Sequence, residues 1–443
     1  MIRIVLLLLG REVVQRRWWT LALAGGLWAF LGIALVIDAL DGHTVIRARD
    51  FGYFLLVEGL LTLPAAFGSR GAARRLRLAK AGIFLLIVAL VFSAHRSSHF
   101  ALAMLFGTAF LVDGALRIAS AHVVRFPGWR SSLAAGVVEI LLGIATLQPW
   151  PTWYEATIGF NVGCLLAISG AGVLRVGWRL RNLPADAPLS ALFGGAWSLA
   201  YPGMAATETP EDGMPVLTVH VWTPTGTATT PLHQRAVNRY VAAVDQNGVI
   251  STGHAALECL PDVYVSHYPA VEIDRSPSAF TQTLRAVREN DVPGRFQPSY
   301  AEEAADWCPS TVQVRFRNFD AARLRRFWNA YRRNETYNLT SRNCSSAVAH
   351  ALDAALEGIY RKQQRPWSRL TRAWFSPELW VAGMLRDRAE TMAWTPGLVL
   401  DYARALSALV EDPRSSWRLN AWLRLSRRGG ERPSTEHGSP GEG

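Results

Sequence analysis

Charge is scarce in this chain: only 18% of its residues are Asp, Glu, Lys or Arg, against about a quarter in an ordinary soluble domain. Cysteine is scarcer still. The four present, Cys164, Cys259, Cys308 and Cys344, form no CxxC and no zinc spacing, so they call for neither a disulfide framework nor a metal centre. The short apolar run Met1 to Gly10 has no small-residue cleavage site after it. It therefore reads as an interfacial lead-in and not as a signal peptide. No DNA- or RNA-binding signature and no cofactor fingerprint accompanies the basic excess of +11. No nucleic acid, cofactor or metal is expected.

What the chain has is apolar sequence, and it is unevenly spread. Half of the 443 residues are hydrophobic. The long uncharged runs fall between residues 18 and 177, whereas residues 207 to 443 have an ordinary soluble composition rich in Arg. That contrast predicts an integral membrane protein carrying a soluble domain. Six hydrophobic segments, 18–40, 51–67, 79–94, 100–118, 132–148 and 156–176, are near the length needed to span a bilayer.

The arginines orient these segments. Arg3, Arg11, Arg16 and Arg17 precede the first, and Arg70, Arg74, Arg75, Arg77 and Lys80 follow the second. Arg117, Arg125 and Arg130 follow the fourth, and Arg175, Arg179 and Arg181 lie at the exit of the sixth. The opposite loops carry Arg47, Arg49 and Arg96. Fifteen against three places both ends of the six-span unit in the cytoplasm.

The spans also repeat. Glu58-Gly59, Asp113-Gly114 and Ser169-Gly170 recur every 55 or 56 residues, which predicts three copies of one helical hairpin. The glycines let helices approach closely. Glu58, Asp113 and Glu139 are intramembrane carboxylates, and such groups face a bundle interior. Two readings stand for them: functional acids, or hydrogen-bond acceptors between hairpins. This region, residues 15 to 180, resembles the HdeD (DUF308) family of bacterial acid-resistance membrane proteins. The resemblance implies a multi-pass protein of the bacterial inner membrane linked to acid or general envelope stress. The lipid bilayer is its expected partner, and a homo-oligomer stays open. The resemblance carries over no catalytic residue.

Residues 182–213 form a linker whose uncharged part, Ala187 to Thr207, reads as a membrane-surface or re-entrant segment. Were it a seventh span, the rest of the chain would be periplasmic. Beyond it, Val216 to Trp222 reads as a strand and Leu232 to Val244 as a helix. Gly253 to Leu260 and Val263 to Tyr268 read as two strands joined at Pro261-Asp262. A short helix at Ala279 to Arg288, a strand at Ser310 to Phe316 and an amphipathic helix at Asp320 to Glu335 follow. Thr340 to Leu356 (TSRNCSSAVAHALDAAL) is a polar lead-in running into an apolar-periodic helix with Cys344 in its first turn. A thiol there is biased toward thiolate by the helix dipole and the unpaired N–H groups.

The order of these parts matters. His254 sits on one strand, His267 on the next, and Cys344 comes last, at a helix start. This order is similar to that of the circularly permuted NlpC/P60 (papain-like) cysteine hydrolases, which include lecithin retinol acyltransferase-like proteins. Gly253-His254-Ala255-Ala256-Leu257, His267 and Asn343-Cys344 match that group's three elements over residues 214 to 361. The resemblance implies Cys344 as nucleophile, His254 as general base, His267 as the group that orients it, and Asn343 as motif support. Ser345-Ser346-Ala347 departs from the acyltransferase subgroup and weakens the case for that subgroup's lipid substrate. Peptide, peptidoglycan and lipid acyl groups all stay open as substrates, and a non-catalytic binding module remains the alternative. Proton or small-solute movement through the bundle is a third reading.

The expected architecture is thus a membrane all-α six-helix bundle of three hairpin repeats (1–181) and a linker (182–213). An α+β permuted papain-like domain (214–361) comes next, then a helical Trp-rich extension (362–426) suited to a membrane interface, and a Gly/Pro/Ser/Glu-rich tail (427–443).

Overall fold

The computed structural model describes residues 1–41, 52–53, 56–57, 60, 71–93, 96–148, 154–184, 187–189, 192, 216–223, 243–244, 250–251, 253–271, 273, 280–362, 366–374 and 376–411. Among them the chain divides into an N-terminal helical region and a C-terminal region of strands and helices.

Four helical segments among the described residues are long and apolar enough to cross a membrane: Trp18–Leu40, His99–Val124, Trp129–Leu147 and Gly159–Arg181. The apolar part of helix Gly71–Ser93 is the shorter stretch Ala81–Ser93. The expected second span, and Glu58 with it, lies largely outside the described residues. Glycine seven residues apart sets the pairing of these helices. Gly25 and Gly32 of Trp18–Leu40 lie against Gly170 and Gly163 of Tyr154–Arg181, and Gly177 lies against Ala22, so a Cβ at Gly25 or Gly170 would meet the other helix's backbone. Gly107 and Gly114 lie in the same way against Gly136 and Gly143 of Trp129–Leu147. Small residues of this kind let dispersion contacts replace the hydrophobic drive that lipid removes. Arg117 reaches both Asp113 (3.1 Å) and Glu139 (3.0 Å). These two acids are therefore ion-paired to one cation that lies within a span.

The C-terminal region is built on an antiparallel sheet in the order β5-β4-β1-β8, with β1 Leu217–Trp222, β4 His254–Cys259, β5 Val263–Val265 and β8 Val312–Phe316. Its register pairs Trp222 with His254, His220 with Ala256, and Leu217 with Cys259. Alternation then separates two faces. Leu217, Val219, Val221, Ala255 and Leu257 turn to a core shared with helices Ala321–Tyr331 and Cys344–Leu356. His220, Trp222, His254 and Glu258 turn to the other face. A smaller sheet, β6-β7-β9, joins His267–Pro269, Val292–Phe296 and Thr336–Tyr337. The hairpin of β2 (Ala243–Val244) and β3 (Ile250–Ser251) corrects the end of the helix expected to reach Val244; residues 232–242 lie outside the described residues.

Two segments expected at the membrane surface are found in this core. Ile2–Leu9 is a helix whose Ile4, Leu6, Leu7 and Leu8 are buried with the cysteine helix and with helices Pro377–Thr391 and Pro396–Val410. Burying such side chains stabilises by about 1.5–3 kcal/mol each. The Gly358 N–H donates to the Leu7 carbonyl (2.8 Å), and Gly10, at φ +81°, lies flat against Gly358. Ala187, Leu189 and Leu192 of the linker join the same core, and Arg11 donates to the Ala187 and Leu183 carbonyls. An apolar stripe beside arginines fits a bilayer surface and a protein groove equally well, so the sequence pattern did not distinguish them.

Candidate functional site

Cys344 is the first residue of its helix, and the turn before it is tightly specified. Asn343 is the N-cap: its side-chain oxygen accepts from the Ser346 N–H (2.8 Å) while its own N–H donates to Ser346 Oγ (2.9 Å), a reciprocal capping box. The Asn343 amide also donates to the Leu339 and Trp394 carbonyls. Upstream, Asn338 and Arg342 exchange backbone hydrogen bonds at 3.0 Å each way. The Arg342 guanidinium, wholly buried, ties down the Thr336 and Tyr331 carbonyls and stacks 3.8 Å above the Tyr331 ring. These contacts hold the backbone that delivers the thiol.

The thiol meets His254. Burial alone would raise the Cys344 pKa. The His254 imidazole, by charge and by hydrogen bond, together with Ser345 Oγ and the Ala255 N–H, outweighs burial and holds it below the ordinary thiol value. Gly253, at φ +68°, precedes His254 at the start of β4, in backbone that a side chain disfavours. The His254 ring stacks on Tyr268 at 4.0 Å. Its Nε2 lies 2.9 Å from Ser266 Oγ and 3.2 Å from Glu303 Oε1.

Glu303 was not singled out from the sequence. It lies on the short helix Tyr300–Asp306, N-capped by Ser299, and is buried. The Tyr268 hydroxyl donates to Oε1 (2.7 Å) and the Tyr264 hydroxyl to Oε2 (2.5 Å). Burial first, and then the Glu303 charge, push both phenols' pKa far up, so each remains a proton donor. The only sequence signal was weak: an acid three residues after Tyr300, on the same helix face.

His267 is not behind His254. Neighbouring residues at a strand end turn opposite ways, so Ser266 faces His254 while His267 enters an aromatic box of Phe296, Tyr331 and Tyr337. Its Nδ1 meets the Tyr331 hydroxyl at 3.1 Å. Burial, and then the nearby Arg342 charge, lower its pKa to about 3. The orienting position expected for His267 is held by Glu303 and Ser266. His350, on the cysteine helix, pairs with Glu390 at 3.3 Å, away from the thiol.

The first-turn N–H groups of Cys344 and Ser345 precede the helix's own hydrogen-bond ladder and are the available donors for a developing oxyanion. Together the groups form a thiol, a base, a buried carboxylate behind the base, and N–H donors at the thiol. Such a set suits nucleophilic acyl chemistry. Among the described residues no three of His, Cys, Asp and Glu converge as a metal site. Comparison with family models, with curated proteins and with solved structures finds no match for this chain.

Proposed function

We propose that the protein is a membrane-anchored thiol hydrolase or acyltransferase acting on an amide, ester or thioester, with the permuted NlpC/P60-like half as its catalytic unit. What supports this reading is the placement of Cys344 at a capped helix start beside His254, whose Nε2 lies 3.2 Å from the buried Glu303 carboxylate. In the proposed reaction the Cys344 thiolate attacks the acyl carbon, and the first-turn N–H groups of the cysteine helix receive the oxyanion. His254 then gives the thiol's proton to the leaving amine, alkoxide or thiolate. Water or an acceptor alcohol cleaves the acyl-thioester, with His254 taking its proton. Glu303 holds the ring's tautomer and balances the imidazolium.

The membrane half, on this reading, is a six-span HdeD-like bundle in a bacterial inner membrane, and the catalytic half lies in the cytoplasm. The burial of Ile2–Leu9 in the C-terminal core supports this, because it ties residue 2 and residue 344 to one side of the membrane. The arginine distribution makes that side cytoplasmic.

A thiol-directed acyl probe tests the reaction. Wild-type protein in detergent is expected to label at Cys344, with labelling lost in Cys344→Ala and reduced at least about a hundredfold in His254→Ala. An unlabelled wild type, or His254→Ala labelled at the wild-type rate, overturns the proposal.

A further inference from the structure

The face of the sheet that carries His254 carries a second histidine with a carboxylate behind it, and this one serves a serine. His220, on β1, is buried. Its Nε2 lies 3.3 Å from Glu258 Oε2 and its Nδ1 lies 3.1 Å from Ser310 Oγ. Glu258 is two positions past Ala256, the cross-strand partner of His220, so the sheet's alternation brings the carboxylate to the ring. Tyr300 stacks on the other side of that ring at 3.9 Å and fixes its plane. One short helix thus presents Tyr300 to His220 and, one turn on, Glu303 to His254.

Ser310 is half-buried, two residues before β8. Two donors converge on its hydroxyl oxygen: the Tyr300 hydroxyl at 3.2 Å and Gln313 Nε2 at 3.3 Å. The Ser310 N–H in turn donates to the Tyr300 oxygen at 3.2 Å. One proton arrangement satisfies every contact. His220 Nε2–H donates to Glu258, Ser310 Oγ–H donates to His220 Nδ1, and Tyr300 and Gln313 donate to Oγ. Burial, opposed by the Glu258 hydrogen bond and charge, lowers the His220 pKa, which leaves the imidazole neutral and able to accept a proton. Two donors on Oγ stabilise the alkoxide that forms when it does.

We infer that Ser310, His220 and Glu258 form a second nucleophilic site, a serine esterase centre independent of Cys344, taking small activated esters. Ser310 Oγ attacks the ester carbonyl carbon as its proton passes to His220 Nδ1, and Glu258 holds the imidazolium. The bond from acyl carbon to alcohol oxygen breaks, the alcohol leaves with the proton from His220, and acyl-Ser310 remains. Water attacks that ester by the same route, releasing the carboxylic acid and restoring Ser310. As Oγ turns to the carbonyl carbon it gives up one of its two accepted hydrogen bonds, and the donor released, Tyr300 or Gln313, is free for the carbonyl oxygen.

The experiment is fluorophosphonate labelling of the full-length protein in detergent, followed by mapping of the modified peptide. Phosphonylation of Ser310 is expected in the wild type and equally in Cys344→Ala, which separates this site from the thiol. His220→Gln is expected to slow it at least about tenfold. Folded wild-type protein whose Ser310 peptide stays unmodified overturns the inference. So does a Ser310 labelling rate that His220→Gln leaves unchanged, because the histidine then does no base work.

Discussion

At the scale of single residues, the site depends on how two buried side chains are partnered. Glu303 has one carboxylate oxygen on His254 and Tyr268 and the other on Tyr264. Glu303→Gln keeps the shape but removes the charge behind the imidazolium and puts an amide among donors. The expected result is a loss of at least about tenfold in Cys344 acylation rate with the unfolding midpoint little changed; an unaltered rate would remove Glu303 from the mechanism. His267 gives a pH signature instead. Its folded pKa of about 3 lies below the unfolded value of about 6.5. Above that value both states are neutral. As pH falls from about 6.5 toward 3 the unfolded chain binds a proton the folded one refuses, so stability drops in that window. His267→Phe should flatten the fall between pH 6.5 and 5 in urea titrations, at some cost at neutral pH from the lost Tyr331 hydrogen bond. Parallel curves for variant and wild type would show that His267 does not set the acid limit.

Single residues also mark what the sequence carried and what it did not. Cys344 with Asn343 before it was legible, since a polar turn entering an apolar period announces a capped helix start. His254 was legible from its place at the head of an alternating strand. Glu303 was not, because nothing in an acidic helical turn says which carboxylate faces inward; that depends on Tyr264 and Tyr268, more than thirty residues away. His267 was misplaced for a related reason. A one-residue difference at a strand end decides which face a side chain takes, and Ser266 took the face that mattered.

At the scale of elements, the helix Ile2–Leu9 contributes most beyond what its length suggests. It packs against the cysteine helix and helices Ile359–Lys362 and Pro377–Thr391, and its end is locked by the Gly10–Gly358 contact and by the Arg361–Glu12 ion pair. The C-terminal helices are likewise core elements: Leu379, Ala382, Val399, Tyr402 and Leu406 are buried, and Asp353 of the cysteine helix is held by Arg386 and Tyr402. Leu7→Ala opens a cavity in this core, for which about 2–5 kcal/mol is typical. The expected readout is a lower urea midpoint for the C-terminal half and weaker Cys344 labelling near that midpoint. A midpoint equal to wild type would mean that the groove holds together without the helix. Four of the six expected spans were legible as apolar runs, and glycine recurrence pointed to close crossings. The partner choice was not legible, because it pairs Trp18–Leu40 with Tyr154–Arg181, the far end of the membrane half.

At the scale of the whole molecule, membrane and soluble halves are joined at several points. The Ala286 N–H donates to the Val124 carbonyl at 2.7 Å, just where the span His99–Val124 ends. Thr340, in the lead-in to Cys344, donates to the Leu284 carbonyl at 2.8 Å. Trp18 and Trp178 lie under Arg181, and Trp129 under Arg125 and Arg130, as residues at a lipid headgroup level do. A reporter fused after Gly443 is therefore expected to read cytoplasmic, and a reporter before Met1 the same. Opposite readings from the two ends would contradict a core that contains both Leu7 and Leu406.

That shared core also sets an order of events during synthesis. Ile2–Leu9 leaves the ribosome before the spans, and the surfaces that cover it belong to residues 344–391, made after them. Between them the spans must enter the bilayer. The thiol domain closes only once its opening residues have been returned to it by a correctly inserted bundle, so a chain that fails insertion is left with an unfilled groove and no finished nucleophile. If the proposed chemistry holds, insertion into the membrane acts as a checkpoint on it, written into the chain's own connectivity.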